Sequence, residues 1–235
     1  MTHIKDEVVD LIIADPPFGL DFDGKDKSNY NRRSEFVVGG YQEAPDDYYG
    51  FTMDWLKQAT RVMKDSGSMY IYSSWNHLLD VLAAADNYDL FPRGHLIWRR
   101  TFGTYKRWGW VNSHYHLLYY TKCESEEGKN QEHVFNKVLK PHPKDGHLYH
   151  YPEDVLFHQT ENMPGRLKNG TKLPLSQIEL LIETSSNEGD IVLDPFLGNG
   201  TSLEASLKLK RDFIGFEINQ ACRPIIEQIM RKYGG

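Results

Sequence analysis

Asp190-Ile191-Val192-Leu193-Asp194-Pro195-Phe196-Leu197-Gly198-Asn199-Gly200-Thr201-Ser202 is the stretch that decides the fold. A short β-branched run reads as a strand. It feeds a Phe-x-Gly-x-Gly turn, and a helical pattern follows from Thr201 to about Leu209. Glycine lets a backbone bend tightly and approach a ligand with no Cβ in the way. The helix behind the turn offers free N–H groups. Phe213–Glu217 reads as the next strand, ending in an acid 23 residues after Asp194. Two carboxylates, Asp194 and Glu217, are therefore expected at the ends of neighbouring strands, and such a spacing suits ribose hydroxyls. There is no Gly-Lys-Ser/Thr, which disfavours a phosphate-loop ATPase, and Leu203 stands where a dinucleotide fingerprint has its third glycine. An adenosine-bearing ligand without a pyrophosphate fits better. A plain turn in an α/β protein is the alternative at this point.

Working outward, Leu175–Ile182 is helical in period and Ala221–Tyr233 closes the chain with a further helix. The tail thus alternates helix and strand, the pattern of a parallel sheet covered on both faces. At the other end, Val8-Val9-Asp10-Leu11-Ile12-Ile13-Ala14 reads as a strand buried on both sides. Asp15-Pro16-Pro17-Phe18-Gly19 closes it, because neither proline can donate to a ladder. Residues 20–50 form a long polar loop, a length that usually signals a lid or disorder. Helical spacing follows over Phe51–Met63 and is expected to stop at Lys64-Asp65-Ser66-Gly67. Further strands are expected at Ser68–Tyr72, Gly94–Trp98 and His116–Tyr120, with a helix over Leu78–Ala85.

The 235 residues, 40% of them apolar, suit one substantial core. No apolar run approaches the roughly 18 residues of a membrane span. The N-terminus lacks the pattern of a signal peptide, so a cytoplasmic location is expected. Cys123 and Cys222 are expected as free thiols in a reducing compartment, and no CxxC pair supports a zinc site; no metal is expected. His114 and His116 read as packing or hydrogen-bonding residues. The net charge is −6, yet residues 90–123 hold Arg93, Arg99, Arg100, Lys106, Arg107 and Lys122 and no acid. Such a segregated stretch fits a phosphate-facing patch, and on charge alone a solvated basic face fits as well.

With both motifs in view, the chain resembles a known family. Asp15-Pro16-Pro17-Phe18 is similar to the catalytic D-P-P-Y/F motif of amino-methyltransferases acting on DNA. Leu193–Ser202 is similar to their cofactor-binding F-x-G-x-G motif. The catalytic motif comes first, as in the permuted beta class. Trp55-Leu56, Arg61–Lys64 and Gly67-Ser68 resemble the family's helix and turn, and Lys172-Leu173-Pro174 stands where the family has Lys-Pro.

The resemblance implies a Rossmann-like α/β fold with a mostly parallel seven-stranded sheet and a circularly permuted motif order. It implies S-adenosylmethionine as methyl donor and a flipped base in double-stranded DNA as acceptor. Residues 1–122 would be the catalytic part, 123–171 an inserted target-recognition segment, and 172–235 the cofactor-binding part of the same domain. The amine of adenine is a poor nucleophile, because its lone pair is delocalised into the ring. Asp15 would accept one of its hydrogens and the Pro16 carbonyl the other, Pro17 would stiffen the turn, and Phe18 would stack on the ring. Asp15, Asp194, Phe196, Gly198, Gly200, Thr201, Ser202 and Lys172 would line the cofactor, with Glu217 on the ribose. Asp15, where cytosine-N4 enzymes often carry serine, tilts the target towards adenine N6. Neither cysteine lies beside the proline pair, which argues against carbon-5 cytosine methylation.

DNA contacts are expected from Arg99, Arg100, Lys106, Arg107 and Trp108, and from Lys137, Lys140, Arg166 and Lys168 in the insert. A homodimer and a paired restriction endonuclease are partners the resemblance leaves open. Cytosine-N4 methylation, an RNA or small-amine methyltransferase, and an inactive nucleic-acid-binding protein are the alternative readings.

Overall fold

The computed structural model describes residues 1–18, 45–104, 107–123, 132–138, 140–141, 148–149, 153–159 and 172–233, without the side chains of 101–104, 140–141 and 148–149. Nearly all of the expected lid, together with Lys106, Arg166, Lys168 and the side chain of Lys140, lies outside the described residues.

Strand β1 (Val9–Ala14) is the hydrophobic centre. Its one charged residue, Asp10, is explained by its partners: one carboxylate oxygen accepts from the Ile191 N–H at 2.9 Å and the other meets Lys64 Nζ at 2.6 Å. A buried strand tolerates the charge because both oxygens are paired. Helix α1 (Tyr48–Val62) starts where the Asp47 side chain accepts the Gly50 N–H at 2.8 Å, an N-cap. Strand β2 (Met63–Ser73) follows directly. The expected stop at Lys64–Gly67 is thus part of a strand, taken up as an irregularity where Val9 faces Met63 and Leu11 faces Ser68. Then come α2 (Leu78–Ala85), β3 (Phe91–Thr104), β4 (Asn112–Thr121), a small β5–β6 hairpin (Lys140–Pro141 and Leu148–Tyr149) and β7 (Val155–Phe157). The tail holds α3 (Leu175–Ser185), β8 (Ile191–Asp194), α4 (Thr201–Lys208), β9 (Asp212–Gly215) and α5 (Arg223–Tyr233). No helix among the described residues is long and apolar enough to cross a membrane.

The main sheet has seven strands in the order β7-β3-β4-β2-β1-β8-β9. The β1–β2, β1–β8, β8–β9 and β3–β7 pairs are parallel, and β4 runs antiparallel to both its neighbours. The expected mostly parallel seven-stranded sheet is therefore present. Alternation along β1 sends Ile12 and Ala14 into a core with α1 and α2, and Leu11 and Ile13 into a core with α3. Leu203 of α4 meets Ile225 and Ile229 of α5 in a third cluster. Burying these side chains is the main stabilising term of such a fold.

Two expectations need correction. Strand β9 stops at Gly215, so Glu217 lies two residues beyond it, on the loop. The segment 123–171 is not detached from the catalytic part. Its β7 extends the main sheet beside β3, and the Asn136 side chain donates to the carbonyls of Glu183 and Ser186 at the end of α3, at 3.0 and 2.9 Å.

Candidate active site

From β1 the chain crosses to β2 on one side, and from β8 it crosses to β9 on the other. Where connections diverge in this way, an open α/β sheet leaves a crevice at the carboxyl ends of its strands. Here the crevice opens between β1 and β8, where Ile12 pairs with Leu193. Asp15-Pro16-Pro17-Phe18 forms one lip and Asp194–Gly200 the other. The two motifs, some 180 residues apart in sequence, meet because their strands are parallel neighbours.

On the β8 lip, Asp194 shapes the loop. One carboxylate oxygen accepts the Phe196 N–H at 2.8 Å and the other accepts the Ser202 hydroxyl. Its carboxyl is pushed up to about 6 by burial and by the nearby Glu217, against the lowering effect of those two hydrogen bonds. Gly198 and Gly200 both adopt positive φ, 52° and 79°, which explains why glycine occupies each. A Cβ on Gly198 would meet nothing nearer than the Phe196 carbonyl at 3.9 Å, so this side of the turn is open. One on Gly200 would press on Ile229 Cδ1 at 3.0 Å. Glu217 reaches back to the turn: it accepts the Gly198 N–H at 2.7 Å and the Asn219 N–H at 2.6 Å. Phe196 is half-buried and packs on Phe51 and Trp55, with ring centroids 6.0 and 5.5 Å away. Thr201 and Ser202 are buried at the start of α4. Lys172 is placed elsewhere than expected, with its ammonium 3.7 Å from Glu204 on α4.

On the β1 lip, Pro16 is buried, while Asp15, Pro17 and Phe18 are half-buried. The Phe18 ring lies 4.8 Å from that of Tyr115 on β4, and the Phe18 carbonyl accepts the Ser74 hydroxyl at 3.3 Å. Two residues unsignalled by any motif complete the crevice. Tyr48 is buried at the start of α1, its ring stacked on His77 at 3.9 Å, and Tyr72 is buried near the end of β2. Neither hydroxyl has a hydrogen-bond partner among the described residues. Burial first, and then the Asp15 charge, raise both phenols above the ordinary range; Asp194 adds to the effect on Tyr72. Tyr72 therefore feels the carboxylates of both lips. The only forward signal for it was strand pairing: β2 lies beside β1, and Ala14 faces Ile71.

Both cysteines are buried and free, as expected. The Cys222 thiol is pushed up to about 11 by burial and by Glu217, so it stays protonated and unreactive near neutral pH. His116 shares a 2.8 Å hydrogen bond with His95, and burial, with His95 and His114 beside it, lowers it to about 4.

The basic stretch divides. Arg99 is exposed over Phe157 at 5.4 Å, and Arg107 is exposed over Trp108 at 5.2 Å. Trp108 and Trp110 are 89% and 96% exposed. Lys137 is exposed as well. Arg100, expected at the DNA, is only 8% exposed. The period of two along β3 turns it to the face opposite Arg99. Its guanidinium lies 4.6 Å above the Tyr115 ring and donates to the Asn112 carbonyl at 2.6 Å.

Fold and crevice together define an open α/β protein built to bring a ligand at a glycine turn against a rigid proline-bounded acceptor. The chain belongs to the N6/N4 methyltransferase family described as DNA methylase, whose model matches residues 9–228. It is 27% identical over 240 residues to the type II methyltransferase M.HinfI of Haemophilus influenzae, covering 97% of this chain and 65% of that protein. It is 30% identical over 247 residues to the type II methyltransferase M.BamHI of Bacillus amyloliquefaciens, covering 98% and 54%. The chain thus spans somewhat over half to about two thirds of these relatives. Among solved structures, that of an M1.HpyAVI–SAM complex superposes with a TM-score of 0.64 at 22% identity, covering 95% of this chain and 89% of that one. The PvuII cytosine-N4-specific DNA methyltransferase superposes with a TM-score of 0.67 at 15% identity, covering 99% and 87%. At these identities the structures establish the shared fold.

Proposed function

We propose that this protein transfers a methyl group from S-adenosylmethionine to the exocyclic N6 of adenine in double-stranded DNA. The observation that carries the reading is the meeting of Asp15-Pro16-Pro17 and the Asp194–Gly200 turn across one crevice at the switch point. Membership of the DNA methylase family supports it.

The residues present fit the cofactor. The open side of Gly198 gives close backbone approach, and Glu217 supplies a carboxylate at the turn. The buried phenols of Tyr48 and Tyr72 offer donors towards a polar ligand. When bound, the cofactor supplies an electrophilic methyl on sulfur. Glu217 would hold the ribose hydroxyls, exchanging its hold on the Gly198 and Asn219 amides in part for them. Asp194 acts one step removed, fixing the loop through Phe196 and Ser202.

Asp15 accepts one hydrogen of the target amine and the Pro16 carbonyl accepts the other, which draws the lone pair out of the ring. The two prolines hold these acceptors in place before reaction, so little reorganisation remains in the transition state. Phe18, backed by Tyr115, stacks on the flipped ring. The amine attacks in line. No thiolate takes part, in keeping with the protonated Cys222. Arg99, Arg107, Trp108 and Lys137 contact the DNA.

Incubation with labelled S-adenosylmethionine and unmethylated mixed-sequence DNA, followed by nucleoside mass spectrometry, tests the reading. N6-methyladenine is expected. N4-methylcytosine would move the target to the other amine of the family, and no labelled nucleoside would overturn the DNA reading.

A further inference from the structure

Strand β3 and strand β4 pair in simple register from Leu96 opposite Leu117 to Arg99 opposite His114. The next pairing is Thr104 with Asn112, so β3 gains extra residues and the ladder is irregular between them. Such an irregularity bends a hairpin and loosens its direction. Beyond it lies the connection that carries Arg107, Trp108 and Trp110. This connection projects from the same sheet edge as Asp15, because β3 runs parallel to β2 and β2 runs parallel to β1.

Arg100 sits at the start of the irregularity. Its guanidinium bridges the two strands by donating to the Asn112 carbonyl at 2.6 Å and to the Tyr115 hydroxyl at 3.4 Å, and it lies over the Tyr115 ring at 4.6 Å. Tyr115 in turn packs against Trp98 at 5.6 Å and against Phe18 at 4.8 Å. A continuous path of contacts therefore runs from the exposed arm, through one buried cation, to the last residue of the Asp-Pro-Pro-Phe motif. Arginine suits this place because its planar fork can stack on a ring and donate in plane at once, which a lysine cannot do.

We propose that Arg100 is a positioning residue that locks the Arg107–Val111 arm to Phe18, so that DNA contact on the arm and presentation of the target base act as one unit. This rests on the DNA methyltransferase reading above. Arg100 touches neither DNA nor cofactor in this role; it acts through Tyr115.

The test is a two-by-two set in the full chain: wild type, Arg100→Lys, Trp110→Ala and the double variant. Each is assayed for kcat and KM on unmethylated mixed-sequence DNA, for cofactor affinity by calorimetry, and for Tm. Arg100→Lys is expected to lower kcat at least tenfold while the cofactor Kd stays within about twofold. The double variant is expected to be no worse than the poorer single variant, since both break one unit. Losses that multiply in the double variant, or wild-type kcat in Arg100→Lys, would overturn the lock. Should Arg100→Lys not fold, Trp110→Ala decides, because a 96% exposed side chain carries no core packing. A fall in kcat supports the lock, and a rise in KM alone overturns it. Absence of DNA methylation by the wild type would instead remove the underlying reading, and the lock with it.

Discussion

Glu217 and Gly198 are joined by a 2.7 Å hydrogen bond from the Gly198 N–H to a Glu217 carboxylate oxygen. The bond ties the loop after β9 to the glycine turn after β8, and the other oxygen caps Asn219 at 2.6 Å. Glu217 is thus both a shaper of the turn and the acid at its mouth. Glu217→Ala should weaken S-adenosylmethionine binding by about 1–3 kcal/mol, the range for a hydrogen bond to a charged group. Glu217→Gln, which keeps an acceptor, should lose less. Calorimetric affinities equal to wild type in both variants would remove Glu217 from the cofactor site.

Gly200→Ala should destabilise the protein by roughly 1–2 kcal/mol, since a positive φ disfavours any side chain. The new Cβ would also press on Ile229 at 3.0 Å. Thermal melts of the two proteins check this, and an unchanged Tm would mean that α5 yields freely.

Asp194 gives stability a pH dependence of definite sign. Its folded carboxyl titrates near 6 and its unfolded one near 3.8. Between those values the folded state holds more protons, so this group's contribution falls as pH rises from about 4 to 6 and is level above. Asp194→Asn should remove that slope from urea-derived stabilities measured across this window. A slope unchanged by the substitution would assign it to another group.

His116 works in the opposite sense. Its folded pKa is depressed to about 4 from 6.5. The unfolded state then binds more protons in that window, so stability is fully present above about 6.5 and is lost as pH falls towards 4. His116→Gln should flatten this acid loss in the same titration. An equally steep loss in the variant would count against the buried pair with His95.

Much of this was legible in the residues. The run Val8–Ala14 ending in two prolines, and the Phe-x-Gly-x-Gly turn after Val192-Leu193, announced two buried strands with sharp ends, because β-branched runs and prolines act locally. That β1 and β8 are neighbours is a tertiary fact, and no local pattern carries it. The same holds for Tyr48, Tyr72 and Tyr115, which are brought to the crevice by strand register and helix start. Arg100 shows the limit most clearly. Its charge suggested phosphate, and only the pleat of β3 reveals that it faces inward while Arg99 faces out. Glu217 was found by spacing, although its strand ends two residues earlier. Lys172 was found by motif and lies instead beside Glu204.

The central claim is that Asp15, on the β1 lip, acts on the amine and not on the cofactor. Single-turnover methyl transfer to DNA by Asp15→Ala, with cofactor Kd measured on the same samples, tests it most directly. A rate lower by at least a thousandfold, about 4 kcal/mol of lost transition-state stabilisation, with Kd nearly unchanged, is the expected result. Transfer at a rate comparable to wild type, or loss of cofactor binding that alone accounts for the defect, would contradict it.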